Sequence, residues 1–176
     1  GVQTCALPIW LITYFWENHG WEIDLNDFDD IDDIDIAECF ECWRLECDNR
    51  FKQLKENEEK LNSVFIEIYG LQEELTPEVD DKDITVRRAD LSREIRSLIS
   101  YAVGCMFGRY SIAELGLTYA GGEFDDSKYG RFPADKDAII PITDEQYFDD
   151  DIVGRFEEFI KTVFGSKSLE SNLEYI

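Results

Sequence analysis

From Ile36 to Leu71 the chain contains no proline, and apolar side chains return every three or four residues. The series runs Ile36, Phe40, Trp43, Cys47, Phe51, Leu54, Leu61, Phe65 and Ile68, with one skipped turn at Glu58. This is an amphipathic helical stripe of nearly heptad period. About 34 residues at a helical rise of ~1.5 Å each span roughly 50 Å. A helix of that length exceeds what a small domain buries alone, so the pattern predicts that it pairs with another helix. Gly70 stands at or near its end, where a left-handed residue stops a helix.

The remaining chain reads as shorter elements. Thr76-Pro77 is a break, because the residue before proline avoids the helical region. Residues 77–88 then form a loop, with a short strand expected at 84–86. Asp90 is placed to cap a second helix. Its face is Leu91, Ile95, Leu98, Ala102 and Met106, widened by Ile99, Val103 and Phe107, so it is the expected core element. Gly104 and Gly108 fall on one side of it and imply tight packing or a helix end. Residues 115–136 read as loop, punctuated by Gly116, Gly121, Gly122, Gly130 and Pro133. Brief strands are expected at 117–120 and 138–142, the second confined to an edge by Pro141. Thr143 or Asp144 is expected to cap a helix starting near Glu145. Ile152, Val153, Phe156, Phe159, Ile160, Val163 and Phe164 give it a broad apolar face, Gly165 stops it, and residues 168–176 begin one more. The expected fold class is mainly α: a long amphipathic helix packed on a core helix and C-terminal helices, with a few short strands.

Composition narrows the class further. With 176 residues and 44% hydrophobic content, the chain is long and apolar enough for one globular domain rather than a disordered segment. No apolar run approaches the roughly 18 residues of a membrane span; the best, residues 6–15, is short and broken by Pro8. No basic region precedes that run, which argues against a signal peptide. Residues 1–21 lack an initiator Met, and GVQTCALPI resembles a translated sequencing-adapter remnant, so they are expected to be non-native or the edge of a fragment. Residues 22–35, EIDLNDFDDIDDID, are expected to be an acidic loop. The Gly and the Glu at position twelve of a calcium-binding EF-hand are missing from it. Residues 36–176 form the expected helical spacer region.

The net charge is −23. DNA affinity arises largely from Lys and Arg displacing counterions, so a free domain of this charge is repelled by DNA at low salt. Either the chain lies away from a duplex or it presents a local basic face. The one basic concentration is Arg87 and Arg88, then Arg93 and Arg96 on one helix face, with Arg109 beyond. These arginines either bridge to the acidic surface or contact phosphate.

Other chemistry is weakly represented. His19 is the only histidine, so a His-based triad has no second support. Cys39-x-x-Cys42 with Cys47 lies in a helical pattern without a second ligand pair, so the expected metal set is empty. Five cysteines in this arrangement are not a secreted disulfide framework, and a reducing cytoplasm is expected. Tyr119 beside Gly121 and Gly122 reads as a plain turn, with a loop against DNA or cofactor as the alternative.

Residues 62–110 read NSVFIEIYGLQEELTPEVDDKDITVRRADLSREIRSLISYAVGCMFGRY. With LTYAGGEFD, FPADKDAIIPITDEQYFDDDIVGRF and SLESNLEYI, this stretch resembles part of the PglX family, the adenine-specific DNA methyltransferases of BREX-1 phage defence. The resemblance covers the chain from about residue 38. It implies a parent that transfers methyl from S-adenosylmethionine to adenine in DNA, together with other BREX proteins. It also implies a helical connector between a methyltransferase core and a target-recognition part. The catalytic motifs themselves are missing. An adenine methyltransferase needs Asn/Asp-Pro-Pro-Tyr/Phe to hold and stack the flipped base, and the prolines at 8, 77, 133 and 141 are never adjacent. No Gly-x-Gly is present for S-adenosylmethionine. The expected catalytic and cofactor-binding sets are therefore empty for this chain. Two other classes remain open. One is an acidic interaction protein or DNA mimic. The other is an oligomerisation module using the Phe40, Trp43, Phe51 stripe.

Overall fold

The apolar stripe forms one unbroken helix, α1 (Ile36–Tyr69), in a computed structural model that describes residues 34–114 and 116–176. Residues 1–21, and all but the end of the acidic 22–35 segment, lie outside the described residues. Asp35 starts the helix: its Oδ1 accepts the Ala37 N–H at 2.7 Å, satisfying a first-turn donor that has no partner inside a helix. The far end is a Schellman turn. The Leu71 N–H reaches the Ile66 carbonyl at 3.0 Å and the Gly70 N–H reaches Glu67 at 3.2 Å. Gly70 adopts φ +68° to allow this, a region costly for residues with a Cβ.

The stripe has two fates along its length. Phe40, Trp43, Cys47 and Phe51 are buried, whereas Leu61, Phe65 and Ile68 are exposed. The side chains named for an oligomer seam, Phe40, Trp43 and Phe51, are therefore already covered.

The chain divides into two compact units. One is continuous in sequence, Cys42–Asp90. The other joins the chain up to Glu41 with Leu91–Ile176.

In the discontinuous unit, α2 (Leu91–Met106) packs on α3 (Ile152–Phe164), and α3 packs on α4 (Leu169–Tyr175). Leu98, Ala102 and Met106 of α2 and Phe159, Ile160 and Phe164 of α3 are fully buried, as the helical periodicity predicts. Phe132 joins them from the intervening loop, its ring edge-on to Phe159 at 5.5 Å. Tyr101 meets Phe159 edge-on at 5.9 Å and stacks on Tyr110 at 5.5 Å. Gly104 is the close approach in this layer, because a Cβ there would lie 2.4 Å from the Tyr110 ring. Gly108 ends the helix in the same way as Gly70, at φ +72°.

A buried asparagine joins the start of α1 to the last helix. The Asn172 Oδ1 accepts the Ile36 N–H, and its Nδ2 donates to the Ile34 carbonyl, both at 2.8 Å. The Ile34 N–H in turn reaches the Phe164 carbonyl at 2.8 Å. These bonds satisfy polar groups that would otherwise be buried without partners.

The described residues contain no strand, which corrects three expectations. Residues 84–86 are coil around the buried Ile84. At 117–120 the Thr118 and Tyr119 N–H groups both converge on the Arg109 carbonyl, at 3.0 and 3.4 Å, which closes a loop instead of building a ladder. At 138–142 Ala138 has φ +57°, outside the β region, and Asp135 and Asp137 carboxylates bond the N–H two residues on. The third helix also begins later than Glu145. Asp151 captures it, its Oδ1 accepting the Gly154 N–H at 2.8 Å and its Oδ2 the Tyr147 and Phe148 N–H groups at 2.6 and 2.9 Å. The Ile152 N–H bonds to the Pro141 carbonyl at 2.9 Å. One carboxylate thus holds both the loop and the helix start, and neither Thr143 nor Asp144 is the cap.

Candidate functional site

The predicted arginines fall on both units, and their surroundings differ. Arg88 belongs to Cys42–Asp90. Its guanidinium lies 4.3 Å over the Phe51 ring and 3.2 Å from Asp81. Lys55 reaches the other Asp81 oxygen at 2.8 Å. The Lys55 hydrogen bond, followed by the nearby positive charges, draws the Asp81 carboxyl below its ordinary range, and the same bond raises Lys55. The Val79 N–H to Glu59 Oε1 at 3.3 Å and the Asn62 Nδ2 to Pro77 carbonyl at 3.1 Å continue this lacing of the returning chain against α1. The function visible at Arg88 is thus to fasten the loop; a phosphate contact would compete with Asp81.

Arg93 is likewise engaged, its Nη2 lying 2.6 Å from the buried Glu94 carboxylate. Arg87 and Arg96 are exposed and have no ion pair among the described residues. Arg109 is exposed, with its guanidinium 5.8 Å from the Tyr110 ring centroid. Arg87, Arg96 and Arg109 therefore remain available to an anion.

Arg155 is a cation that the sequence reading did not single out. It is buried, with its guanidinium 4.4 Å over Phe132 and its Nη2 donating to the Pro133 carbonyl at 2.5 Å. Its Nη1 meets Glu158 at 2.5 Å. It joins the 132–133 loop to α3 and is not offered to solvent. Its place in a helix with a broad apolar face was the available signal.

Cys39 and Cys47 are buried, Cys42 is half-buried, and Cys105 is buried elsewhere in α2. Burial pushes the Cys105 thiol up to about 12, despite the opposing Tyr101 hydrogen bond, so it is protonated and unreactive at neutral pH. No group of three or more potential metal ligands is gathered among the described residues. His19 lies outside the described residues. Tyr119 packs edge-on to Phe124 at 5.3 Å, and its hydroxyl donates to the Gly122 carbonyl at 3.2 Å, closing the turn on itself. No helix among the described residues is long and apolar enough to cross a membrane.

A cleft missed by the sequence reading lies at the distal end of α1. Phe65, Ile66 and Tyr69 of the helix, with Leu71 and Leu75 of the following turn, line a space of about 290 Å³. Its surroundings are acidic: residues 61–81 carry six carboxylates and no Lys or Arg.

No family model matches the chain. It is 56% identical over 136 residues to the adenine-specific methyltransferase PglX of Lacticaseibacillus casei (strain Zhang), a match covering 76% of this chain and 11% of that protein. The chain belongs to the PglX family. The adenine-specific methyltransferase BrxX of Escherichia coli O9:H4 (strain HS) is 35% identical to it, over 73% of this chain and 12% of BrxX. The PglX-family chain thus spans about a tenth of the length of the curated relatives it matches. Pro77 and Pro133 each stand alone in coil, as does Pro141.

Proposed function

We propose that this chain is a non-catalytic helical connector of an adenine-specific DNA methyltransferase acting in BREX phage defence. The observation that carries the reading is the 56% identity to PglX along three quarters of the chain. In this proposal the longer protein transfers methyl from S-adenosylmethionine to adenine in DNA in the cytoplasm. The connector lies between its methyltransferase core and its target-recognition part, with other BREX proteins as further partners. The chemistry on the chain agrees with that division of labour. No Pro-Pro pair is present to frame a flipped adenine and no Gly-x-Gly to approach a cofactor, while the buried Asp151, Arg155 and Asn172 serve a helix cap, a loop and the bridge to α1.

The chain contributes to DNA binding through phosphate contacts from Arg87, Arg96 and Arg109, the predicted arginines without an ion pair among the described residues. Phosphate contacts position a duplex without reading its sequence. Two measurements test the reading. The isolated chain, given tritiated S-adenosylmethionine and adenine-containing duplex, is expected to transfer no methyl group; transfer would overturn the connector role. In the longer protein, Arg87→Ala, Arg96→Ala and Arg109→Ala together are expected to weaken binding equally on all duplexes. They should also lower the salt slope by about 0.9 per lost contact. An unchanged slope rejects the phosphate contacts and leaves the connector role to the first test.

A further inference from the structure

The distal end of α1 presents a worked apolar face that the internal packing leaves uncovered. Leu61, Val64, Phe65, Ile68 and Tyr69 recur at helical spacing and are 57%, 46%, 54%, 68% and 70% exposed. Leu75, from the turn that follows, is 53% exposed and stands across the cleft. Phe65 and Tyr69 lie nearly parallel, with centroids 6.5 Å apart, so the wall is an aromatic shelf. The Schellman turn at Gly70 and the Asn62–Pro77 hydrogen bond fix the opposite wall. At about 290 Å³ the cleft falls at the floor of the ~300–1,000 Å³ range of small-molecule pockets. It suits one or two anchoring side chains.

Charge identifies the occupant. Glu67, Glu73, Glu74 and Glu78, close in sequence to the cleft residues, are exposed, and none has an ion pair among the described residues. A second copy would bring the same carboxylates against each other, on a chain already at −23. A nucleic acid would meet the same repulsion. We propose that this end of α1 is a docking surface for a basic amphipathic helix of a protein partner, with Leu or Phe anchors in the cleft and Lys or Arg against the glutamates. This is helix-in-groove recognition, in which apolar anchors give the affinity and the charged rim gives the selectivity. The proposal does not depend on the phosphate contacts, which concern other residues.

The test uses the full chain and a fluorescein-labelled Leu/Lys peptide of roughly 15 residues with leucines at i, i+3, i+4 and i+7. Fluorescence anisotropy is read at about 0.15 M salt. Micromolar binding is expected. Phe65→Ser with Ile68→Ser should weaken it about tenfold or more, with the circular dichroism and melting curve unchanged. Should that pair disturb folding, Leu75→Ser gives the same reading from the non-helical wall. Glu67→Gln, Glu73→Gln and Glu74→Gln together should weaken binding and flatten its salt dependence. A peptide with serine for leucine should bind about tenfold worse or not at all. Equal affinity for the serine peptide, or no effect of the apolar variants, would reduce the binding to bulk charge and overturn the proposal. So would a dimer of the chain, or duplex binding, abolished by Phe65→Ser with Ile68→Ser. A failure of the Leu/Lys peptide to bind at all overturns it too.

Discussion

Asn172 is the residue through which the described start of the chain is held to its last helix. It is fully buried, yet each side-chain atom that can bond does so: Oδ1 with Ile36, Nδ2 with Ile34 and, at 3.2 Å, with the Ser168 hydroxyl. Asn172→Ala strands the Ile36 N–H and the Ile34 carbonyl in the interior, where each unsatisfied group costs on the order of 1–3 kcal/mol. The expected loss is about 2–4 kcal/mol, read as a lower midpoint in urea with little change in slope. Asn172→Asp should recover little, because the carboxylate would face the Ile34 carbonyl with no hydrogen to offer it. A midpoint within error of the parent for both variants would remove Asn172 from the fold's supports. None of this was legible in the sequence, where Asn172 is one polar residue in a seven-residue helix. Its role depends on a chain segment more than 130 residues away.

At the scale of elements, the helices were legible and the connections were not. The stripe from Ile36 predicts α1 to its cap, and the second helix and the body of the third follow from periodicity, because burial of one face is written locally every three or four residues. The start of α3 was misplaced because Thr143, Asp144 and Asp151 all have capping chemistry, and only the fold of the 141–150 loop selects among them. The strands failed for a similar reason. Short runs at 84–86, 117–120 and 138–142 have no neighbouring strand among the described residues; the Thr118 and Tyr119 N–H groups turn to the Arg109 carbonyl and the Ile139 N–H to Asp137 instead. The selected cap makes its own prediction. Burial pushes the Asp151 carboxyl up, but the backbone N–H groups of Gly154, Phe148 and Tyr147 outweigh this and hold it below its ordinary 3.8. Stability from a carboxylate with a lowered pKa is present above that ordinary value and is lost as pH falls through the folded one. Asp151→Ala should therefore lower Tm by roughly 5 °C at neutral pH. The gap to the parent should close as the pH is taken below 3.8, the ordinary value of the carboxyl. A gap that stays constant across that range would show that the carboxylate charge is not what holds the loop.

For the whole molecule, charge and connectivity matter most. A net charge of −23 on 176 residues repels itself. The bridges that oppose it, such as Lys55–Asp81 and Arg88–Asp81, are exposed and contribute little each. Sodium chloride shortens the screening length from about 30 Å at 0.01 M to about 3 Å at 1 M. Tm should rise by a few degrees over that range. A fall would mean that the surface bridges, and not the repulsion, dominate.

The Asn172 bridge also sets an order of events on the ribosome. The Cys42–Asp90 stretch makes its fastenings with near neighbours in the chain and can settle as soon as it emerges. The first turn of α1 has to wait with an unanswered amide until the codon for Asn172 has been read. A nascent chain stalled shortly before that codon would carry its longest helix already wound and its entrance still loose.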